Sequence, residues 1–144
     1  MSSEPNFPAL ELKNFHFIWL QQGNFQLDIP QLQLSAGQHL FIRGASGSGK
    51  TTLLNLLSGI HTLEQGEIRI RGELFQPARP SQRDAIRARQ IGVVFQQLNL
   101  IGYLSVLDNV LLAAEFSGRG AKACRQRAEQ LLLALDMTPA LFAQ

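Results

Sequence analysis

The chain has 144 residues, about one domain, and its 45% hydrophobic and 17% charged residues allow a packed core and exclude compositional disorder. With 13 basic and 11 acidic residues the net charge is +2, too small to indicate a nucleic-acid partner. The single cysteine, Cys124, excludes an internal disulfide, and neither a membrane-spanning apolar run nor a secretory signal is present.

The first part of the chain predicts antiparallel strands. After a loose leader at residues 1–8, apolar and polar residues alternate over residues 10–17 and again over residues 25–34. Residues 66–72, which begin and end with glycine, alternate in the same way. Alternation with period two indicates strands that have one wet face.

A phosphate-binding loop follows the first two alternating segments and begins at residue 44. The segment has the pattern G-x-x-x-x-G-K-[ST], which is the Walker A motif, and consists of Gly44, Ala45, Ser46, Gly47, Ser48, Gly49, Lys50, Thr51 and Thr52. Its glycines let backbone N–H groups approach phosphate oxygens, the lysine supplies a positive charge, and the Thr51 hydroxyl can ligate Mg²⁺. The motif therefore predicts a nucleoside triphosphate ligand.

The flanks of this loop fit the motif. Residues 38–43 read as a short strand, and residues 50–58 read as a helix with an apolar face whose N-terminus points at the anion. One alternative is a Gly/Ser-rich turn, which the Lys-Thr pair argues against. Another alternative is a dinucleotide-binding loop, but Thr52 occupies the position where that motif needs its third glycine.

The second half of the chain predicts mostly helices. A linker at residues 77–80 precedes a polar helix at residues 81–90, and the apolar run at residues 91–95 reads as a buried strand. Ser105 is a suitable N-cap for a helix with Leu107, Val110, Leu111 and Ala114 at helical spacing. After a break at residues 118–120, a second helix places on one face Cys124, Ala128, Leu131 and Leu135.

These segments resemble the nucleotide-binding domain of ATP-binding cassette (ABC) transporters from about Leu10 to the end of the chain. Trp19 stands where that family places an aromatic residue that stacks on adenine. Val93-Val94-Phe95-Gln96 resembles the family's Q-loop, with Gln97 as the competing glutamine. Residues 104–110 resemble the first segment of its helical subdomain.

Within the family, residues 53–71 and 96–110 are most similar to the branch that serves lipoprotein release and macrolide export. The resemblance implies an α/β fold, with a P-loop NTPase core of the ABC type. Residues 9–96 would form the ATP-binding core and an antiparallel β subdomain, and residues 97–144 the Q-loop and part of the helical subdomain.

The resemblance also implies ATP and Mg²⁺ as cofactors. Lys50 and Gln96 would act in catalysis, Thr51 and Gln96 would hold the metal, and the loop would hold the phosphates with Trp19 on the adenine. Implied partners are transmembrane permease subunits and a second nucleotide-binding subunit, with no nucleic acid. The implied location is cytoplasmic, at the inner face of the cell membrane.

Several motifs of the family are missing from the sequence: the Walker B Asp with its catalytic Glu, the LSGGQ-type signature and the switch His. Leu57-Ser58-Gly59 begins like the signature but lies on the Walker A helix. Asp136 follows an apolar run as in Walker B, yet Met137 stands where Glu should be. The chain is therefore expected to stop before the signature.

Two other hypotheses stay open. The chain could be a catalytically inactive fragment that at most binds nucleotide. It could also be a P-loop ATPase of another class, such as a kinase or a DNA-repair ATPase, although the positions of Trp19 and Gln96 argue against this. Guanine specificity is not indicated, because the sequence contains no Asn-Lys-x-Asp string. A truncated parallel sheet would also leave an uncovered apolar face, which predicts poor solubility.

The remaining candidates predict no site. Three arginines at a spacing of four are expected on a solvated helix face, with an acidic partner as the lesser alternative: Arg79, Arg83 and Arg87. Three histidines have no metal-binding spacing: His16, His39 and His61. Cys124 is expected in the core.

Overall fold

The computed structural model describes residues 7–19, 25–97 and 99–142. The chain divides into two compact units, Met1–Ile91 and Gly92–Gln144. The first contains β1 (Leu10–Trp19), β2 (Phe25–Leu34), α1 (Lys50–Leu57), β3 (Gln65–Ile70), β4 (Glu73–Gln76) and α2 (Pro80–Gln90). The second contains α3 (Val106–Phe116), α4 (Ala121–Ala134) and a 3₁₀ turn (Pro139–Leu141). The predicted subdomain division at residue 96 stays a prediction, and most of the predicted leader lies outside the described residues.

The four strands form one antiparallel sheet in the order β2-β1-β3-β4. A register shift between Lys13 and His16 surrounds Asn14, whose φ is 47°. Because of this irregularity Leu12 and Phe15, three residues apart, are both buried. The sequence predicted strands here, but simple alternation could not place this irregularity.

The core of the first unit lies between the sheet and the helices α1 and α2. Each helix contributes one fully buried side chain, Leu56 from α1 and Ile86 from α2. Burying a side chain of this size contributes about 1.5–3 kcal/mol. The buried cluster consists of Leu12, Phe15, Phe17, Leu56, Leu63, Ile68, Ile70, Phe75 and Ile86.

One fully buried polar side chain lies in this core. Gln76 donates from Nε2 to the carbonyl oxygens of Leu56 (2.6 Å) and His61 (3.1 Å). Its Oε1 accepts from the backbone N–H of Leu63 at 2.6 Å. Gln76 therefore ties β4 to the C-terminal end of α1 and to the loop that follows, and it satisfies three backbone groups there.

The prediction of a strand is wrong for two segments of the chain. Residues 38–43 and 91–95 carry no assigned secondary structure, and in place of a buried strand Val94 is 99% and Phe95 50% exposed. Phe41 is likewise 83% exposed. An apolar β-forming segment becomes a sheet strand only when another strand pairs with its backbone, and none of the described residues pairs with these two segments in the sheet.

The second unit is a helical pair. The Ser105 side chain accepts from the N–H of Asp108, which confirms the predicted N-cap of α3. The buried contact of α3 and α4 consists of Leu107, Leu111, Ala128 and Leu132, with Cys124 half-buried against it. No helix within the described part of the chain is long and apolar enough to cross a membrane.

The predicted apolar face of α4 is wrong at its C-terminal end. Leu131 is 46% exposed and Leu135 72% exposed, whereas Leu132 is buried. Residue 132 lies four positions after Ala128 and residue 131 three, and both spacings fit one helical face. The packing against α3 decides between them, and the helix ends at Ala134 before Leu135 could join the face.

Candidate functional site

The Walker A loop surrounds the ammonium group of its lysine. Nζ of Lys50 donates to the carbonyl oxygens of Gly44 (2.9 Å) and Ala45 (2.7 Å), and it lies 3.4 Å from Oγ of Ser48. Lys50 is also the first residue of α1. The positive charge and the N-terminal end of the helix are thus held at one place by local chain geometry.

Two glycines of the loop allow close side-chain contacts with its backbone. A Cβ on Gly49, whose φ is 84°, would lie 1.9 Å from Cζ of Phe25. A Cβ on Gly44 would lie 2.3 Å from Oγ of Ser48. The absence of side chains at these positions lets the loop close around Lys50 and lets an aromatic ring pack directly on its backbone.

The N-terminus of α1 has no side-chain cap. Its N-cap is Gly49, and the first turn contains no acidic residue. The first N–H groups of a helix have no partner within the helix, and together with the helix dipole they favour a bound anion. An uncapped helix N-terminus of this kind suits an anion, and the phosphate-binding role of the loop stays a prediction.

A cavity of about 820 Å³ opens at this loop. Its size is within the range of small-molecule sites. Among the lining residues that the structure describes, Lys50 supplies a positive charge and none is acidic. The lining residues are Trp19, Phe25, Gln26, Gly47, Gly49, Lys50, Thr51, Thr52, Asn55 and His61.

Trp19 is the last residue of β1 and brings an aromatic wall to the cavity. Its indole makes edge-to-face contacts with Phe17, at 5.9 Å between ring centroids, and with His61, at 5.1 Å. Trp19 also pairs across the strands with Phe25. The structure thus brings the predicted base-stacking residue and the predicted phosphate loop to one cavity.

Four lining residues were not predicted from the sequence: Phe25, Gln26, Asn55 and His61. Asn55 had a local signal, because it lies four positions after Thr51 on the same helix and so on the same side. Phe25 depends on the register of β1 and β2, which a single sequence does not give. His61 had no signal, since it reaches Trp19 only through the tertiary fold.

Side-chain hydrogen bonds support the strand that carries Gln26. The Asp28 carboxylate accepts from the side chain of Gln26 and pairs with Nδ1 of His16. These hydrogen bonds, that of His16 first, lower the pKa of Asp28 below its ordinary value of 3.8. The carboxylate therefore stays ionised at neutral pH and keeps the amide of Gln26 engaged.

Gln96 and Gln97 lie in the second unit, both exposed in a bend. The cavity is lined by residues of the first unit. The catalytic and metal-binding roles of Gln96 therefore stay predictions, as does the metal-binding role of Thr51, which lines the cavity. The described residues contain no cluster of three or more His, Cys, Asp or Glu side chains that could hold a metal ion.

The predicted solvated arginine face is only partly correct. Arg79 is exposed, but Arg83 and Arg87 are half-buried. Nη1 of Arg83 donates to Oγ1 of Thr62 at 2.9 Å, and Nη1 of Arg87 lies 3.4 Å from the carbonyl oxygen of Gly59. Arg83 and Arg87 therefore contact the chain just after α1, and tertiary packing explains their spacing.

The donor set fits a triphosphate. Gly44 and Gly49 let the side chains of Ser48 and Phe25 approach the loop backbone, and Lys50 supplies a positive charge at the N-terminus of α1. Thr51 offers one hydroxyl, which suits Mg²⁺ because this ion takes few protein ligands when phosphates and water supply the rest. Trp19 lines the same cavity and brings an aromatic ring to it.

The chain is similar to known proteins of one family. The family model described as "ABC transporter" matches residues 27–142. The lipoprotein-releasing system ATP-binding protein LolD of Saccharophagus degradans is 37% identical over 101 residues, which are 70% of this chain and 44% of that protein. The bacitracin export ATP-binding protein BceA of Halalkalibacterium halodurans is 34% identical over 130 residues, covering 89% of this chain and 51% of BceA.

The macrolide export ATP-binding/permease protein MacB of Syntrophobacter fumaroxidans is 35% identical over 119 residues, 78% of this chain and 17% of MacB. Among solved structures, the ATP-binding cassette MJ0796, dimeric in a post-hydrolysis state with ADP and Pi, superposes with a TM-score of 0.79. Its sequence is 31% identical, and the match covers 94% of this chain and 60% of that one. The chain thus spans about half the length of the LolD and BceA relatives.

Proposed function

The chain belongs to the ABC transporter family, and from this premise we propose that it is the ATP-binding part of a transporter that binds MgATP through the Walker A loop. The relatives that match are ATP-binding proteins of transport systems, which argues against the alternative of a kinase or a DNA-repair ATPase. The resemblance to the branch of lipoprotein release and macrolide export is confirmed, because relatives of both kinds match the chain.

The single observation that carries the proposal is the composition of one cavity. It contains Lys50 within its loop, the uncapped N-terminus of α1, and the indole of Trp19. A nucleotide needs a positive region for phosphates and a flat apolar surface for the base, and the cavity offers both. Its lack of acidic lining residues among those described favours an anionic ligand further.

Within this proposal, the loop N–H groups and Lys50 bind the phosphates, Thr51 ligates Mg²⁺, and Trp19 stacks on adenine. Gln96 contributes to the metal and to catalysis when the domain is complete. Mg²⁺ neutralises phosphate charge in such sites, and catalysis depends on positioning and electrostatics. We further propose that permease subunits and a second nucleotide-binding subunit are the partners, at the cytoplasmic face of the membrane.

The test is the affinity of the 144-residue chain for ATP with Mg²⁺, measured by isothermal titration calorimetry. Lys50→Ala should weaken binding by roughly 10- to 150-fold, because hydrogen bonds from charged groups contribute about 1.5–3 kcal/mol. The matched control is Lys122→Ala, an exposed lysine of α4 in the other unit, which should bind like the wild type. Equal affinity of Lys50→Ala and wild type would refute the assignment of the loop.

A second candidate function is nucleotide binding without turnover by this chain alone. It is favoured because the sequence lacks the Walker B Asp, the catalytic Glu, the signature and the switch His. Steady phosphate release that disappears in Lys50→Ala would exclude it. Binding without release would support it, and hydrolysis would then require residues beyond these 144.

A further inference from the structure

The indole of Trp19 contacts two aromatic side chains. Phe17 contacts it from the same strand with ring planes 60° apart, and His61 contacts it from the loop after α1 with ring planes 77° apart. The His61 contact is the closer, at 5.1 Å between centroids, and this residue also lines the cavity. Edge-to-face packing of this kind fixes the orientation of a ring.

The backbone of His61 is anchored on both sides. Its N–H donates to the carbonyl oxygen of Asn55 at 3.1 Å, which extends the end of α1. Its carbonyl oxygen accepts from Nε2 of the fully buried Gln76 at 3.1 Å. On the ring, Nε2 lies 3.5 Å from the amide nitrogen of Asn55. The imidazole therefore rests on a fixed part of the core.

An anchored imidazole matters for base binding because Trp19 is at the end of its strand. A side chain that is free to choose between rotamers loses that freedom when a base stacks on it, and the loss weakens binding. A ring that is already fixed avoids this loss. The contact with His61 links the ring of Trp19 directly to the end of the Walker A helix.

We propose that His61 is a positioning residue for the nucleobase: it holds the indole of Trp19 in the orientation that accepts the base. The inference rests on the proposed function of the cavity, and it assigns to His61 no contact with the phosphates. It predicts that His61 affects ligands that carry a base and leaves inorganic polyphosphate unaffected. Because only the imidazole of His61 has this role, substituting the side chain leaves the main-chain hydrogen bonds of residue 61 in place.

The experiment compares ATP with inorganic tripolyphosphate, both with Mg²⁺, by calorimetry. His61→Ala should weaken ATP binding roughly threefold to tenfold, or about 0.7–1.4 kcal/mol, as expected for one edge-to-face pair. Tripolyphosphate affinity should stay within twofold. His61→Phe restores an aromatic edge and should restore ATP affinity, and the exposed His39→Ala serves as the matched control.

Trp19 is the single tryptophan of the chain, so its fluorescence reports on the indole directly. The fluorescence anisotropy should fall in His61→Ala and recover in His61→Phe, because the ring gains and then loses freedom of motion. A general loss of structure would instead weaken both ligands and lower the melting temperature. Equal weakening of ATP and tripolyphosphate, or unchanged ATP affinity, overturns the inference.

Ligand binding by the wild type distinguishes a failure of this inference from a failure of the proposed function. If the wild type binds neither ATP nor tripolyphosphate, the proposed function fails and the role of His61 fails with it. If it binds both with equal affinity, the phosphate site stands and the base contributes nothing, so the role of His61 alone is overturned.

Discussion

Gly49 meets two constraints at once. Its φ of 84° is in the left-handed region, and its missing Cβ leaves room for the ring of Phe25. The motif requires glycine here for phosphate binding, and the structure adds a packing reason specific to this chain. At the scale of single residues, the phosphate loop is therefore joined to the β-hairpin that carries Trp19.

Gly49→Ala is expected to lower the melting temperature and weaken ATP binding, because the new Cβ would lie 1.9 Å from Cζ of Phe25. The left-handed backbone alone costs about 1–2 kcal/mol for a residue with a Cβ. Gly47→Ala is the matched control, since φ there is 77° and no atom lies within 4 Å of its added Cβ. Thermal unfolding of both variants should show the larger loss in Gly49→Ala, and equal losses would contradict a role for Phe25.

At the scale of elements, α1 has two ends with different tasks. Its N-terminus is left open toward the cavity, while its C-terminus is tied to β4 by Gln76 and to α2 by Arg87. Basic groups near a helix C-terminus also interact favourably with the helix dipole. Fixing the far end of this short helix holds its open end in place.

Gln76→Leu should destabilise the chain by about 2–4 kcal/mol, because buried backbone groups left without a hydrogen bond cost about 1–3 kcal/mol each and such costs are not fully additive. The affected groups are the carbonyls of Leu56 and His61 and the N–H of Leu63. Urea unfolding gives the measurement. Gln33→Leu, which removes an exposed bond to Glu11, should change the free energy of unfolding by less than about 0.5 kcal/mol.

At the scale of the whole molecule, two apolar β-forming segments lie exposed outside the sheet. Phe41 in the first unit and Val94 in the second are 83% and 99% exposed. Unpaired apolar segments of this kind pair readily with other chains. The sequence predicted poor solubility from an incomplete sheet, and these exposures give that prediction a location.

Val94→Lys should reduce self-association of the 144-residue chain and leave its melting temperature unchanged, because the wild-type side chain contacts almost nothing. Sedimentation velocity over a range of concentrations gives the measurement. Leu135→Lys is the control, since Leu135 is also exposed, at 72%, but follows a helix. A wild type that stays monomeric at all concentrations would contradict the prediction.

A structural feature could be predicted from the sequence when the residues that form it lie close together along the chain. The Walker A loop and the Ser105 cap are local, so their residues could be named without a structure. The face of α4 was misplaced by one position, because helical spacing leaves Leu131 and Leu132 equally suitable. Residues 38–43 were misread as a sheet strand because strand propensity does not tell whether a partner strand is present.

The sequence by itself determined the family and the place of the Walker A loop, because nine consecutive residues contain the whole motif, and from these residues it predicted phosphate and Mg²⁺ binding. Only the tertiary structure decided that Phe25 packs on Gly49 and that His61 contacts Trp19. Those contacts depend on strand register and on how the end of α1 is anchored. They join residues far apart in the chain, and their energies depend on the packing of the whole first unit.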